Sequence, residues 1–140
     1  GRVAHRRSTV SGCAAVAAML AAQQERRGAP AGSVEAARAL AEAGTVAIVT
    51  GQQAGLFGGP LFTLLKAVTA IALAARVERE HGVRAVPLFW IDAEDHDWDE
   101  VRSAAVFDAE LARRVVQAAP PDGAGTHTIG SLVWPEASRT

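Results

Sequence analysis

Two apolar runs, each opening into a loop of unusual composition, limit this chain to a narrow set of folds. The first run is Thr45-Val46-Ala47-Ile48-Val49-Thr50, and the second extends from Ala85 to Ile91. Runs of this kind suit strands buried on both faces. Between them, the segment Pro60 to His81 carries Leu61, Leu64, Leu65, Val68, Ile71, Ala72 and Ala75 at helical spacing. Pro60 fits the first turn of that helix, where an N–H has no intrahelical partner anyway. Gly82 fits its end. Strand, helix and strand make a βαβ unit with parallel strands. The loops after the two strands then share one edge of the sheet, the edge at which open α/β sheets bind ligands. Pro87 is awkward in a central strand and is expected near a strand start.

The rest of the chain reads as support. Gly1 to Arg7 is basic, with Arg2, Arg6 and Arg7, and is expected to be poorly ordered. Ser8 to Arg27 reads as an alanine-rich helix with Ser8 or Ser11 as N-cap, broken by Gly28-Ala29-Pro30-Ala31-Gly32. Ser33 is the expected N-cap of a second helix, Val34 to Ala43, with Gly44 just past its end. Val34, Ala37, Leu40 and Ala41 should lie against the sheet. Beyond Glu100, Ser103 to Phe107 and Arg113 to Ala118 read as a hairpin, and Thr126 to Trp134 as a last strand. Residues 1–44 thus read as a helical segment, and 45–140 as the first part of an α/β domain. The chain starts at Gly1 rather than Met, and its sheet is unfinished, so the sequence reads as a fragment of a longer protein.

Bulk properties exclude several classes. The formal net charge is -1, which carries no overall signal for nucleic acid or a membrane surface. No apolar run is long enough to span a bilayer. Val10 to Ala22, after basic residues, has the look of a secretory signal, but Gln23 to Arg27 continues it without a clean cleavage site. Cys13 is the one cysteine, so neither an internal disulfide nor a CxxC pair is possible. A cytoplasmic location fits, and Cys13 reads as a small buried apolar residue.

The first loop is Gly51-Gln52-Gln53-Ala54-Gly55-Leu56-Phe57-Gly58-Gly59. Its glycines let backbone approach a ligand. Gly58-Gly59-Pro60 would set free N–H groups at a helix N-terminus, which favours phosphate or carboxylate. Gln52 and Gln53 add neutral donors and acceptors, and Thr63 could turn its hydroxyl to the same mouth. Lys66 interrupts the apolar stripe. The glycines, at 51, 55, 58 and 59, match neither GxxxxGK[ST] nor GxGxxG. A plain strand-to-helix connection is the bland alternative.

The second loop packs six carboxylates between Asp92 and Glu100. Such density costs stability unless a positive group neutralises it. Mg²⁺ held through one or two carboxylates is one option. Recognition of an ammonium or a hydroxyl-rich substrate by Glu94, Asp95 and Asp97 is another. A third is acid–base work by His96. A solvated acidic loop is the bland alternative. His5, His81 and His127 read as surface residues, and Trp90 and Trp98 as core or rim packing.

Val49 to Ala67, Val-Thr-Gly-Gln-Gln-Ala-Gly-Leu-Phe-Gly-Gly-Pro-Leu-Phe-Thr ending in Leu-Leu-Lys-Ala, resembles a signature of the cysteine-adding ligase family of bacillithiol biosynthesis. Val86 to Val101, Val-Pro-Leu-Phe-Trp-Ile-Asp-Ala-Glu-Asp-His-Asp-Trp-Asp-Glu-Val, resembles a second one. Ile129-Gly130-Ser131-Leu132 is similar to a less distinctive stretch. Departures are mild: that family often has Thr in place of Gly58, and Ser in place of Asp92 or Ala93. The resemblance implies a Rossmann-like α/β domain, akin to class I aminoacyl-tRNA synthetases and nucleotidyltransferases, preceded by helices and incomplete in this chain. It implies addition of cysteine to the amino group of glucosaminyl malate with ATP, and a longer parent, possible as a homodimer. Gln52, Gln53, Gly55, Gly58, Gly59, Pro60 and Thr63 would then face nucleotide or substrate, with Glu94 and Asp97. His96, Asp95 and Lys66 would carry the chemistry. Two other classes stay open: a metal-dependent hydrolase or nucleotidyltransferase using the acidic loop, and a non-catalytic remnant.

Overall fold

A computed structural model describes residues 12–133. Its elements are α1 (Cys13–Arg26), α2 (Ala31–Ala39), β1 (Val46–Gln53), α3 (Leu61–His81), β2 (Ala85–Asp92), α4 (Trp98–Val101), β3 (Ser103–Phe107) and β4 (Arg113–Gln117). Short 3₁₀ turns occupy Leu56–Gly58 and Ile129–Ser131. β1 and β2 form one two-stranded sheet, and β3 and β4 another. The N–H of Val46 donates to the carbonyl of Arg84 (2.9 Å), and that of Ala54 to Asp92 (2.9 Å). The constant offset between these bonds marks β1 and β2 as parallel. The α/β, Rossmann-like reading therefore holds for the strand–helix–strand core.

The chain forms two compact units, and β1, α3 and β2 each run from one into the other. The first unit takes the described residues up to Val49 together with Val68–Leu88. It is built on small residues. Ala17, Ala39, Leu40 and Val86 form a buried cluster with Leu20, Ala36 and Leu88 packed against it. Ala21, Val34 and Ala37 form a second. Alanine on both helix faces lets α1 and α2 approach closely. Val34, Ala37 and Leu40 are buried as their spacing predicts, whereas Ala41 is exposed. Arg84 lies between Glu35 (3.7 Å) and Glu42 (3.8 Å). The Glu78 carboxylate accepts from the N–H of Ala85 (3.0 Å), where β2 begins.

The second unit takes Thr50–Ala67 and the described chain from Phe89 onward. It holds both loops, α4, and the β3–β4 hairpin, whose antiparallel register runs from Ser103↔Gln117 to Phe107↔Arg113. The hairpin turn closes on Asp108. Its carboxylate accepts from the N–H groups of Glu110 and Ala112, and from Arg114 Nε at 2.7 Å.

Several expectations need correction. α2 begins at Ala31 after Pro30, so Ser33 lies inside the helix rather than capping it. The helix ends at Ala39, and Gly44 (φ 82) turns the chain a few residues later. Pro60 immediately precedes α3 rather than opening it. Pro87 sits within β2, exposed, where its missing N–H faces no strand partner among the described residues. The segment from Thr126 contains a 3₁₀ turn rather than a strand over the residues described. Trp90 is exposed, while Trp98 is buried. Cys13 is half-buried. β1 is covered on one face only, with Ala47 and Val49 exposed. The leucine-rich stripe of α3 also faces outward: Leu61, Leu64, Leu65, Val68 and Ile71 are all more than half exposed. The helix buries Ala70 and Ala74 instead. The suggested caps Ser8 and Ser11, the basic start, His5 and Trp134 lie outside the described residues.

Candidate functional site

The site starts with a strand that runs further than its composition predicts. β1 continues through Gly51, Gln52 and Gln53 instead of ending at Thr50. Gly51 permits this, because a Cβ there would stand 2.6 Å from the carbonyl oxygen of Trp90 on the neighbouring strand. Side chains alternate along a strand, so Gln52 and Gln53 point to opposite faces. Gln52 goes to α3, where its Oε1 accepts from Lys66 Nζ at 2.7 Å. Lys66 Nζ also donates to the Gly51 carbonyl (3.2 Å) and lies 4.8 Å from the centroid of the Phe62 ring. Gln53 goes to the acidic loop. Its Nε2 donates to Asp95 Oδ2 (2.9 Å) and, less closely, to Glu100 Oε2 (3.3 Å).

Asp95 is the centre of the acidic loop. Its Oδ1 accepts from the N–H groups of His96 (2.6 Å) and Asp97 (3.1 Å). The Gln53 amide, followed by these two backbone N–H groups, holds the Asp95 carboxyl below the usual carboxylate range. Donors aimed at a carboxylate stabilise its charged form, so Asp95 remains ionised in the midst of its acidic neighbours. Asp97 is occupied otherwise: its Oδ1 accepts from the N–H of Glu100 (3.1 Å) and caps α4. The N–H of Glu94 donates to Asp92 Oδ1 (3.3 Å), and Glu94 and His96 are exposed.

The glycine loop is tighter than expected. The N–H of Gly58 donates to Gly55 (3.0 Å), and that of Gly59 to Leu56 (3.1 Å). Those two donors are therefore spent on the turn rather than left free. Gly58 (φ 86) and Gly59 (φ 82) adopt left-handed conformations that other residues resist. Phe57 (φ 55) does so without being glycine, at a cost of about 1–3 kcal/mol. Pro60 accepts from the N–H of Thr63 (2.8 Å). Thr63 Oγ1 is buried with no hydrogen-bond partner among the described residues, so a donor and acceptor is held ready close to Gly59.

An apolar pocket of ≈ 290 Å³ lies beside these loops. Leu56 and Phe57 line it from one side, Trp98 and Val101 from α4, and Ile129 from the last turn, with Arg102 among them. Arg102 Nε donates to Asp99 at 2.9 Å. Leu56 and Phe57 belong to the glycine loop that the sequence singled out, but none of these five apolar side chains was among the expected site residues. Only the likeness around Ile129 pointed to that segment.

The structure thus brings Gln53, Asp95 and Glu100 together, and Lys66 with Gln52. Lys66 makes no ion pair with a carboxylate among the described residues. Nor do three or more His, Cys, Asp or Glu converge on a point where they could hold a metal ion, among the described residues.

Comparison with known proteins shows the family. The family model described as the N-terminal Rossmann-like domain of the bacillithiol biosynthesis protein BshC matches residues 2–139. The chain belongs to this family. It is 43% identical over 104 residues to "Putative cysteine ligase BshC" of Heliobacterium modesticaldum, covering 74% of this chain and 19% of that protein. It is 44% identical over 110 residues to the protein of the same name from Symbiobacterium thermophilum, covering 79% of this chain and 20% of that one. The Solibacter usitatus protein is 43% identical over 104 residues. The chain spans about one fifth of the length of these curated relatives. Among the described residues, no helix is long and apolar enough to cross a membrane.

Proposed function

We propose that this BshC-family domain supplies the substrate-holding edge of a ligase that joins the carboxyl group of cysteine to the amino group of glucosaminyl malate. The observation that carries the reading is the Gln53–Asp95 pair at the carboxyl ends of both strands. It keeps a carboxylate ionised where an ammonium group can be held and oriented. The names of the relatives support the cysteine ligase class.

Amide formation eliminates one oxygen of the cysteine carboxylate, which is a poor leaving group. ATP would convert it to a good one. Thr63 Oγ1 and the pocket beside Leu56 and Phe57 are the places where this chain fits such a ligand. Mg²⁺ would arrive with the phosphates, held by at most one or two carboxylates of the loop. The amine must lose a proton before it attacks. Asp95 holds and orients it, and His96, exposed on the same loop, takes that proton. Lys66 acts through Gln52, fixing the end of β1.

Mass spectrometry of a reaction containing full-length protein, ATP, cysteine and glucosaminyl malate tests the proposal. The expected product is the cysteinyl conjugate, formed only with ATP and lost in Asp95→Asn. An unchanged yield in Asp95→Asn overturns the assignment of the acidic loop.

A further inference from the structure

Gln53 and the loop's own donors are not the only groups that hold the run of six carboxylates between Asp92 and Glu100. A further hold comes from residues 129–131. The turn Ile129–Ser131 is tied to the acidic loop by two backbone hydrogen bonds. The N–H of Ile129 donates to the Asp95 carbonyl (2.8 Å), and that of Gly130 to the Ala93 carbonyl (2.8 Å). Both acceptors flank Glu94. The approach is so close that a Cβ on Gly130 would stand 2.9 Å from the Ala93 Cβ and 3.1 Å from its carbonyl oxygen. Gly130 has no left-handed backbone to account for its presence. Contact is therefore what demands a glycine here. The turn is braced in itself: Ser131 Oγ donates to the Thr128 carbonyl (2.8 Å) and accepts from Thr128 Oγ1 (3.1 Å). Its Ile129 side chain also walls the apolar pocket.

We infer that Ile129–Ser131 is a clamp that positions Asp95 for the substrate amine, with Gly130 as the positioning residue. The inference rests on the proposed use of the acidic loop. Asp95 is fixed from two directions: its carboxylate by Gln53, and its backbone carbonyl by Ile129. Releasing the second hold lets the first drift. Displacements of an ångström at a reacting group cost about a hundredfold in rate.

The test uses three variants of the full-length protein and two readouts. Hydrogen–deuterium exchange over 92–97 reports the clamp whether or not the ligase reading is right. Steady-state ligation kinetics report its role. Gly130→Ala is expected to raise exchange in that stretch and lower kcat by about tenfold to a hundredfold. Ala93→Gly added to Gly130→Ala removes the nearest clashing atom, and is expected to restore a large part of both. Gly32→Ala, in α2 with nothing near its Cβ, is expected to behave as the parent. Wild-type exchange in Gly130→Ala, or damage that Ala93→Gly does not relieve, overturns the clamp. Should Gly130→Ala fail to fold, Ser131→Ala takes its place, and unchanged exchange there overturns the clamp equally. An absent product in the parent, with exchange behaving as described, overturns the ligase reading while leaving the clamp in place.

Discussion

The two loops at the carboxyl ends of β1 and β2 occupy equivalent places in one βαβ unit and are held in different ways. The loop after β1 closes on itself. Its turn is made by its own backbone, Gly58 to Gly55 and Gly59 to Leu56. The loop after β2 is held partly by its own backbone, at Asp95 and the Asp97 cap, and partly from outside, by the Gln53 side chain and the Ile129–Ser131 turn. A loop of glycines can satisfy its polar groups locally, because the chain there can bend where it needs to. A loop of carboxylates repels itself, and this one adds donors from elsewhere to those of its own backbone. Damage to the first loop should therefore be local and steric. Damage to the second should be polar, and should depend on pH.

Three substitutions sharpen that contrast. The largest effect is expected for Gly55→Ala. A Cβ there would meet the Gly59 Cα at 2.9 Å, backbone against backbone, so no side chain can yield. Overpacking of this kind costs about 1–3 kcal/mol. Urea unfolding of the full-length protein should show it at every pH. Asp97→Ala comes next, removing the cap from α4 at a cost of about 1 kcal/mol. Asp97→Asn, which keeps an acceptor oxygen at the cap, should recover most of that loss; an equal loss in both variants would mean that packing rather than capping is at stake.

Gln53→Leu is expected to have the smallest effect on stability and the clearest signature. Without the amide donor, the Asp95 carboxyl should rise toward its ordinary range, as read by NMR titration of that carboxylate. The sign follows from the depressed value in the folded protein. Such a group adds stability above its unfolded pKa, about 3.9 for Asp, and that stability fades as pH falls through the folded pKa. The difference between parent and Gln53→Leu should therefore be present at neutral pH and disappear below the folded pKa. A titration unaffected by Gln53→Leu would remove the Gln53–Asp95 pair from the account of the site.

Some of this architecture was legible in the sequence, for reasons that particular residues make plain. Val46 to Val49 and Ala85 to Ile91 have the composition of strands, and Pro60 and Gly82 bracket α3. The hairpin positions also followed from composition. The last residues of β1 did not, because Gly51, Gln52 and Gln53 have no strand preference. They are extended by a partner far along the chain, as the Ala54–Asp92 hydrogen bond shows. Periodicity revealed that α3 is amphipathic but not which face is covered. The structure buries the Ala70–Ala74 line and leaves the leucines outside. In the site, the acidic run and the glycine loop were visible as compositions. The pairing of Gln53 with Asp95, and the reach of Ile129 and Gly130 to the acidic loop, are tertiary facts that no local pattern encodes.

The alternation at the end of β1 has a further consequence. Gln52 and Gln53 are chemically identical, and only strand parity sends one to a cation and the other to a carboxylate. Their roles belong to positions, not to residues. Deleting one residue between Val46 and Gly51 would leave both amides present and move each back by one place along the strand. The glutamine now serving Asp95 would turn toward Lys66, and Ala54 would be offered to the acidic loop in its place. A chain so altered would keep every side chain named in this site and lose the arrangement that makes them one.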